Sequence, residues 1–328
     1  MKFSRRELVS VAAGMALFPL ASSQALAQAS DAGDKPITFV VPFTAGSGTD
    51  VVARIVSDHL ARLLHRPIVV DNKAGAGGTL GAAVVAAAAA DGQTVLIHSA
   101  GHVANAALYP KLKYDTLKDF APIAMLATLP NVLVVSPSMK VNSVAELVAK
   151  AKANPTKMTY ASAGNGSATH INAEKFRIAA KLEATHVPYR GTPPALTDVV
   201  GGQVDWFFAP LVSALPLIQD NRLVPLAVGS AERSPALPKV PTTVEAGYPG
   251  SDYTFWVGMF VPSKTPSDLV AALSSATAKV LHMPEVKAAL EKLGAEPAEL
   301  SQKQFVDLLA REMATTSALV KQAGIRID

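Results

Sequence analysis

Three stretches of the chain place glycine, serine and threonine directly after apolar, β-branched runs: VPFTAGSGTD at 41–50, VVDNKAGAGGTLG at 69–81 and YASAGNGSATH at 160–170. A strand that ends in small residues and feeds a helix leaves backbone N–H groups unpaired at the helix start, where the helix dipole also favours negative charge. Glycine lets a ligand approach the backbone, and serine and threonine add hydroxyl donors. In the first stretch Gly46, Ser47, Gly48 and Thr49 supply those groups, and Asp50 caps or opens the helix that follows. Gly75, Ala76, Gly77, Gly78 and Thr79 hold the same place in the second, and Gly164, Asn165, Gly166, Ser167 and Thr169 in the third. The guest that fits is an oxyanion. No Lys follows Gly48, Gly81 or Gly166, so a nucleotide phosphate loop is missing, and Leu80 stands where a dinucleotide fingerprint begun at Gly75 and Gly77 needs its last glycine. What remains is a carboxylate or a single phosphate held mainly by neutral donors.

A fourth stretch, HVPYRGTPPALTDVVGGQVD at 186–205, is dense in structural signals. Thr192 is placed to N-cap a helix with Pro193 at its first position, and Gly201-Gly202 ends that helix. Tyr189 and Arg190 precede it, and the guanidinium can pair either with a carboxylate ligand or with a neighbouring acid. His170 follows the third polar loop and is read either as a donor to a carboxylate or as a core histidine. His98 and His102 have the i, i+4 spacing of metal ligands but no companion carboxylate in HSAGH. Ser99 in IHSAG echoes a nucleophile elbow without its first glycine, which makes a hydrolase of carboxylate esters or amides the alternative to a binding protein. Trp206 and Trp256 read as core or cleft-wall residues.

The elements that must position these residues alternate along the chain. Apolar runs at 37–43, 68–70, 94–98, 132–135, 157–161, 184–188, 203–208, 224–229 and 255–261 are separated by helical patterns. In one of these, Val52, Ile55, Val56, Leu60 and Leu63 share a face while Arg54, Asp58 and Arg62 share the other. Ser143 and Glu146 form a capping box for a helix ending at Asn154-Pro155, and the Ala-rich run 82–90 reads as a buried helix. Such alternation predicts an α/β protein with mostly parallel sheets flanked by helices. Extended segments near Leu129–Val135 and Tyr253–Phe260 read as crossings between two lobes.

Composition narrows the function. The chain has 328 residues, 49% of them hydrophobic, a net charge of +4 and no cysteine, so disulfides and cysteine metal sites are excluded. Residues 1–27 read as an export signal, with Lys2, Arg5 and Arg6 before a short apolar stretch and Ala25-Leu26-Ala27 as the cleavage site. Ser4-Arg5-Arg6 leaves both the general and the twin-arginine export routes open. Removing three positive and one negative residue with the signal leaves the mature chain at 4 − (3 − 1) = +2, without the basic stripe of a nucleic-acid-binding protein.

Taken in order, PITFVVPFTAGSGTD, DNKAGAGGTLGA, ASAGNGSATH, HVPYRGTPPALTDVVGGQVD, LPKVPTTVEAGYPG and the Trp256, Gly258, Pro262 spacing resemble the substrate-binding proteins of tripartite tricarboxylate transporters, the TctC or Bug family. The resemblance covers essentially the whole mature chain. It implies a two-lobed type II periplasmic-binding-protein fold, with 28–130 and 256–328 forming a discontinuous first lobe and 131–255 the second. It further implies a monomeric, non-enzymatic periplasmic protein without cofactor or metal, closing on a small carboxylate. The expected partner is a membrane permease with one large and one small integral subunit. Carried over by position, Phe43, Thr44, Ala45, Gly46, Ser47, Gly48, Thr49 and Asp50, with Ala76, Gly77, Gly78 and Thr79, face the ligand from the first lobe. Asn165, Ser167 and His170 face it from the second, with Tyr189, Arg190, Gly191, Thr192 and Asp205 nearby. TAGSGTD stands where the family often has a Pro-Gly-Gly-Ser run, and Ala209-Pro210 where Asp-Asn is common. Dicarboxylates, acidic amino acids, citrate-like acids and aromatic acids all remain open as ligands, and a sensor for a membrane kinase remains open beside transport.

Overall fold

The computed structural model describes residues 35–154 and 157–323; the expected export signal lies outside the described residues. The chain runs β1 (Ile37–Val41), α1 (Gly48–Leu64), β2 (Ile68–Asn72), α2 (Thr79–Ala86), β3 (Thr94–Ser99), α3 (Gly101–Leu108) and β4 (Phe120–Leu129). It continues through β5 (Asn131–Val135), α4 (Val144–Ala153), β6 (Thr159–Ser162), α5 (Ala168–Ala180), β7 (Thr185–Pro188), α6 (Thr192–Val200), β8 (Trp206–Pro210), α7 (Leu211–Gln219) and β9 (Val224–Val228). It closes with β10 (Phe255–Pro262), α8 (Ser267–Leu281), α9 (Pro284–Glu291), β11 (Glu296–Pro297) and α10 (Gln302–Ala323).

The strands form two sheets, ordered β11-β4-β10-β3-β1-β2 and β7-β6-β8-β5-β9. The α/β alternation makes β1, β2 and β3 parallel in the first sheet, and β6, β7 and β8 parallel in the second. The strands adjoining the crossings depart from the expected mostly parallel pairing and make both sheets mixed. β10 runs antiparallel to β3 and β4, and β5 antiparallel to β8 and β9. Only Pro130 separates β4 of one sheet from β5 of the other, and the chain returns at Phe255 into β10.

Period-two alternation fills both faces of the second sheet. Trp206 and Phe208 enter one core with Leu133 and Val135. Phe207 and Ala209 enter the opposite one with Val132 and Val134. The first sheet packs Phe39, Trp256 and Phe260 against α1, α8 and Phe305 of α10. At α1, Val52, Val56 and Leu60 are buried, and His65 ends the helix in the left-handed region at φ 51°. The capping box appears with one arm shifted: Ser143 Oγ accepts the Glu146 N–H at 3.2 Å, and the Glu146 carboxylate accepts the N–H of Asn142, one residue before the N-cap, at 2.8 Å.

Two local expectations are corrected. The Ala-rich helix stops at Ala86 instead of running to Ala90, and it is only half buried, with Ala82 and Val85 turned inward and Val84 exposed. The helix after Arg190 has Gly191 at its N-cap, with Thr192 as its first residue. Among the described residues no helix is long and apolar enough to cross a membrane.

Candidate functional site

The first loop, between β1 and α1, is shaped from behind. Asp50, on the first turn of α1, is 1% exposed, and its carboxylate accepts from Gly46 N at 2.8 Å, Arg54 Nε at 2.9 Å and Asn72 Nδ2 at 2.8 Å. Burial raises its pKa, but the hydrogen bonds from Arg54, Gly46 and Asn72 outweigh that and hold it below the ordinary 3.8. Asn72 also donates to the Phe43 carbonyl at 3.0 Å, so β2 grips both ends of the loop. Asp50→Ala is expected to cost about 3 kcal/mol in denaturant unfolding, since it strips a buried, charge-assisted acceptor from three donors. A loss below about 0.5 kcal/mol would contradict that role.

Ser47 is the N-cap of α1 but makes no side-chain bond to its own helix. Its Oγ instead accepts the N–H of Thr192, at the start of α6 beside the second sheet, at 3.1 Å. The N–H groups of Gly48, Thr49 and Asp50, the first three residues of α1, therefore have no intrahelical acceptor and no side-chain cap.

The second loop is held by α3. Asn105 Nδ2 donates to the Gly77 carbonyl at 3.1 Å, and Tyr109 OH donates to the Asn165 carbonyl of the third loop at 3.0 Å. Gly77 approaches Asn165 so closely that a Cβ on it would lie 1.8 Å from the Asn165 oxygen. Gly78, at φ 99°, packs on the ring of His98.

The third loop rests on two imidazoles. Gly164 N–H donates to Ser162 Oγ at 3.0 Å, and Ser162 Oγ lies 2.6 Å from His186 Nε2. Gly166 N–H donates to His170 Nδ1 at 3.1 Å, so that nitrogen carries no proton. The two rings stack at 4.0 Å and 6°. Burial pushes His170 down to about 4, with help from Arg177, and His186 to about 3, with help from His170. Thr169 Oγ1 accepts Ala163 N–H at 2.9 Å, and Ser167 caps α5 by accepting His170 N–H at 3.3 Å.

The first and third loops meet across the two sheets, and between them lies a pocket lined by Phe43, Ser47, Gly48, Thr49, Ser99, Ala163, Ser167, Ala168, Thr169, Thr192, Pro210 and Phe255, to which the second loop contributes no residue. It encloses about 10 Å³, near one water's worth of space, so the walls are closed on each other. No lining residue is charged. The first turns of α1 and α5, one beside each sheet, point their dipoles at it.

Of the residues singled out by sequence, Phe43, Ser47, Gly48, Thr49, Ser167 and Thr192 line this pocket. Thr44, Gly46, Gly191, Gly77 and Asn165 sit at the contacts between the loops. Ala45 and Ala76 are exposed, and Gly78 and Thr79 are buried behind the second loop. Asp50 and His170 face away from the pocket and hold loops from below. The Tyr189 hydroxyl donates to Asp198, and burial together with that carboxylate pushes it up to about 12. Arg190 adjoins Gly191, is exposed and has no ion-pair partner among the described residues. Asp205 is not brought to the pocket: it bonds Thr159 at 2.7 Å and 2.9 Å, at the opposite end of β8 from Pro210.

Ser99, Asn105, Tyr109, Pro210 and Phe255 were not foreseen as site-forming. Ser99 was weighed only as a nucleophile, yet His98 Nδ1 bonds its carbonyl at 3.0 Å, and no imidazole bonds its hydroxyl among the described residues. His98 and His102 are fully buried, their rings 4.9 Å apart beside Phe43, Phe120 and Phe260. No group of three or more possible metal-ligating side chains occurs among the described residues.

Comparison with known proteins places the chain. Residues 52–325 match the model of the tripartite tricarboxylate transporter family receptor, TctC. A Pseudomonas sp. (strain P51) protein of the tcbD–tcbE intergenic region is 39% identical over 312 residues, 94% of this chain and 93% of the relative. Among solved structures, an R. palustris protein with adipate is 35% identical at a TM-score of 0.86, covering 89% of this chain and 98% of that one. MatC from Rhodopseudomonas palustris with bound malate is 35% identical at 0.83, covering 87% and 98%.

Proposed function

The chain belongs to the tripartite tricarboxylate transporter receptor family, whose members are periplasmic solute-binding proteins, and from that membership we propose that it captures a small carboxylate between two lobes and hands it to a membrane permease. The observation that carries the proposal is the pair of helix N-termini, α1 from one sheet and α5 from the other, aimed at one pocket lined only by neutral groups. A carboxylate there takes backbone N–H groups of Gly48 and Thr49, hydroxyls of Ser47, Thr169 and Thr192, and long-range help from Arg190. The adipate and malate held by the two R. palustris relatives support an acid with two carboxylates.

We assign residues 28–130 and 256–328 to the first lobe and 131–255 to the second, a division that the two sheets support to within one residue, since β10 of the first sheet begins at Phe255. Ligand binding favours the closed arrangement, and the closed face is what the large and small integral subunits of the permease recognise. Residues 1–27 direct export to the periplasm and are removed after Ala27.

A thermal-shift screen of the mature chain tests this, using mono-, di- and tricarboxylates with malate and adipate among them, against phosphate and nucleotide controls. A ligand at about 100 times its Kd is expected to add roughly 2.7 kcal/mol, several degrees in Tm. Silence from every carboxylate with a shift on phosphate or nucleotide would refute the reading.

A further inference from the structure

We propose that Tyr109 and Ser213 are latch residues of the closed state, each donating a hydroxyl from one lobe to a loop carbonyl of the other and so strengthening capture of whatever ligand the cleft holds without touching it. The inference rests on the carboxylate reading and the lobe assignment above, and adds to them how affinity is set.

The two bonds are reciprocal. Tyr109 directly follows α3 in the first lobe, and its hydroxyl donates to the Asn165 carbonyl of the third loop at 3.0 Å. Ser213 lies in the first turn of α7 in the second lobe, and its Oγ donates to the Gly46 carbonyl of the first loop at 2.9 Å. Each hydroxyl is the one donor that its carbonyl has among the described residues. The partners are 56 and 167 residues apart in sequence, so neither bond follows from a local turn.

Tyr109, Asn165, Ser213 and Gly46 all lie outside the pocket wall, so these bonds act through the position of the lobes and not through the ligand. Gly77 makes room for the first of them: a Cβ there would stand 1.8 Å from the Asn165 oxygen and 3.1 Å from the Tyr109 hydroxyl. Burial pushes the Tyr109 phenol up to about 12, so it keeps the proton it donates at neutral pH. With the lobes apart, both hydroxyls and both carbonyls return to water, and a neutral hydrogen bond exchanged for water is worth only a small net difference. That difference multiplies the closing equilibrium by the same factor whichever ligand is bound.

Isothermal titration of the parent, Tyr109→Phe, Ser213→Ala and the double variant tests the inference, with malate and adipate or, where others bind more tightly, the two tightest acids of the screen above. Tyr109→Phe keeps the ring, removes only the hydroxyl, and is expected to weaken binding about 5-fold. Ser213→Ala, whose bond is more open to water, is expected to weaken it about 3-fold. The double variant is expected to lose about 15-fold, the product for two sites that share no partner. Two further readouts separate a latch from a structural or ligand-reading role. The factor is the same for both acids, and the Tm of the ligand-free protein stays within about two degrees of the parent. The latch is overturned, and the carboxylate reading left intact, by a double variant that binds within about twofold of the parent, by a factor that differs more than about threefold between the acids, or by a ligand-free Tm lowered beyond that margin. A parent that binds no acid of the screen overturns the carboxylate reading and the inference with it.

Discussion

Gly191→Ala is expected to weaken carboxylate binding by at least 100-fold while leaving the Tm of the ligand-free protein within about two degrees of the parent. Gly191 has φ 170° and ψ −177°, extended backbone that alanine adopts without strain. Its obstacle lies across the cleft. A Cβ on Gly191 would fall 2.0 Å from Thr44 Oγ1, 2.8 Å from Ser47 Oγ and 2.9 Å from the Thr44 backbone nitrogen. The threonine side chain can rotate away, but the backbone nitrogen cannot, so the first loop and the turn before α6 are held apart when the lobes approach. With the lobes separated, Thr44 and Ser47 no longer stand against the new methyl.

That asymmetry makes Gly191 a better probe than Gly77. A Cβ on Gly77 meets the Asn165 oxygen at 1.8 Å, but Gly77 also sits at φ 61°, so alanine there mixes backbone strain with blocked closure. Gly201→Ala serves as the control, since its φ of −75° is helical and its nearest neighbour would be 3.4 Å from the new carbon. Adding Thr44→Ala to Gly191→Ala removes the shortest overlap and is expected to restore part of the affinity, a coupling that distant sites would not show. Isothermal titration with the best carboxylate from the screen measures the loss, and small-angle scattering follows whether the ligand still compacts the protein. Binding by Gly191→Ala within threefold of the parent would mean that ligand capture does not need this contact.

The three loops were legible because local chemistry writes them directly into the chain. Glycines at Gly46, Gly77, Gly78, Gly164 and Gly166 take positive φ in the structure, and serine or threonine follows each cluster at the start of a helix. The alternation of strands and helices was legible for the same reason. What sequence could not give is which way a polar side chain faces. Asp50 and Ser47 are three residues apart on one helix start, yet Asp50 turns back to Asn72 and Ser47 reaches forward to Thr192. Both choices are made by partners distant in sequence. Asn105 and Tyr109 gave no warning because their role depends on α3 passing beside two loops at once. The neighbourhood of β8 misled for a geometric reason. Asp205 and Pro210 bracket one strand, so the chain brings its Pro210 end to the cleft and its Asp205 end to Thr159. The Ala-rich run carries no residue that marks where its helix stops, since Gly92 lies well beyond Ala86.

Acid is expected to unfold the protein early, with Tm falling steadily from pH 6.5 toward pH 4. Burial lowers His98 to about 4, against the opposing hydrogen bonds to Ser99 and Gly78, and drives His102 well below 6.5 with help from His98. His170 lies near 4 and His186 near 3 for the same first reason. Each of these groups stays neutral in the folded chain while its unfolded counterpart takes a proton below 6.5, so the unfolded state gains protons and stability rises with pH across that window. The stabilisation is complete above 6.5 and is lost progressively as pH falls toward the native values. For His98 and His170, with native values of about 4, the gap costs ~2 kcal/mol each by pH 5. Glu312 acts in the opposite direction. Burial raises it to about 7 beside Trp256 Nε1, at 2.7 Å, so the native state keeps a proton that the unfolded state loses above 4.5, and this one group gains stability as pH falls from 7. Four histidines against one glutamate leave the net slope positive. Circular dichroism melts between pH 8 and pH 4.5 measure it, and His102→Phe, which replaces a ring whose two nitrogens have no hydrogen-bond partner, should flatten the slope by about one proton, ~1.4 kcal/mol per pH unit. A Tm that stays flat down to pH 4.5 would show that the rings titrate normally. Binding by the folded protein should hold across that window, because His170 Nδ1 stays unprotonated there and keeps accepting the Gly166 N–H, and should fail only as pH approaches 4.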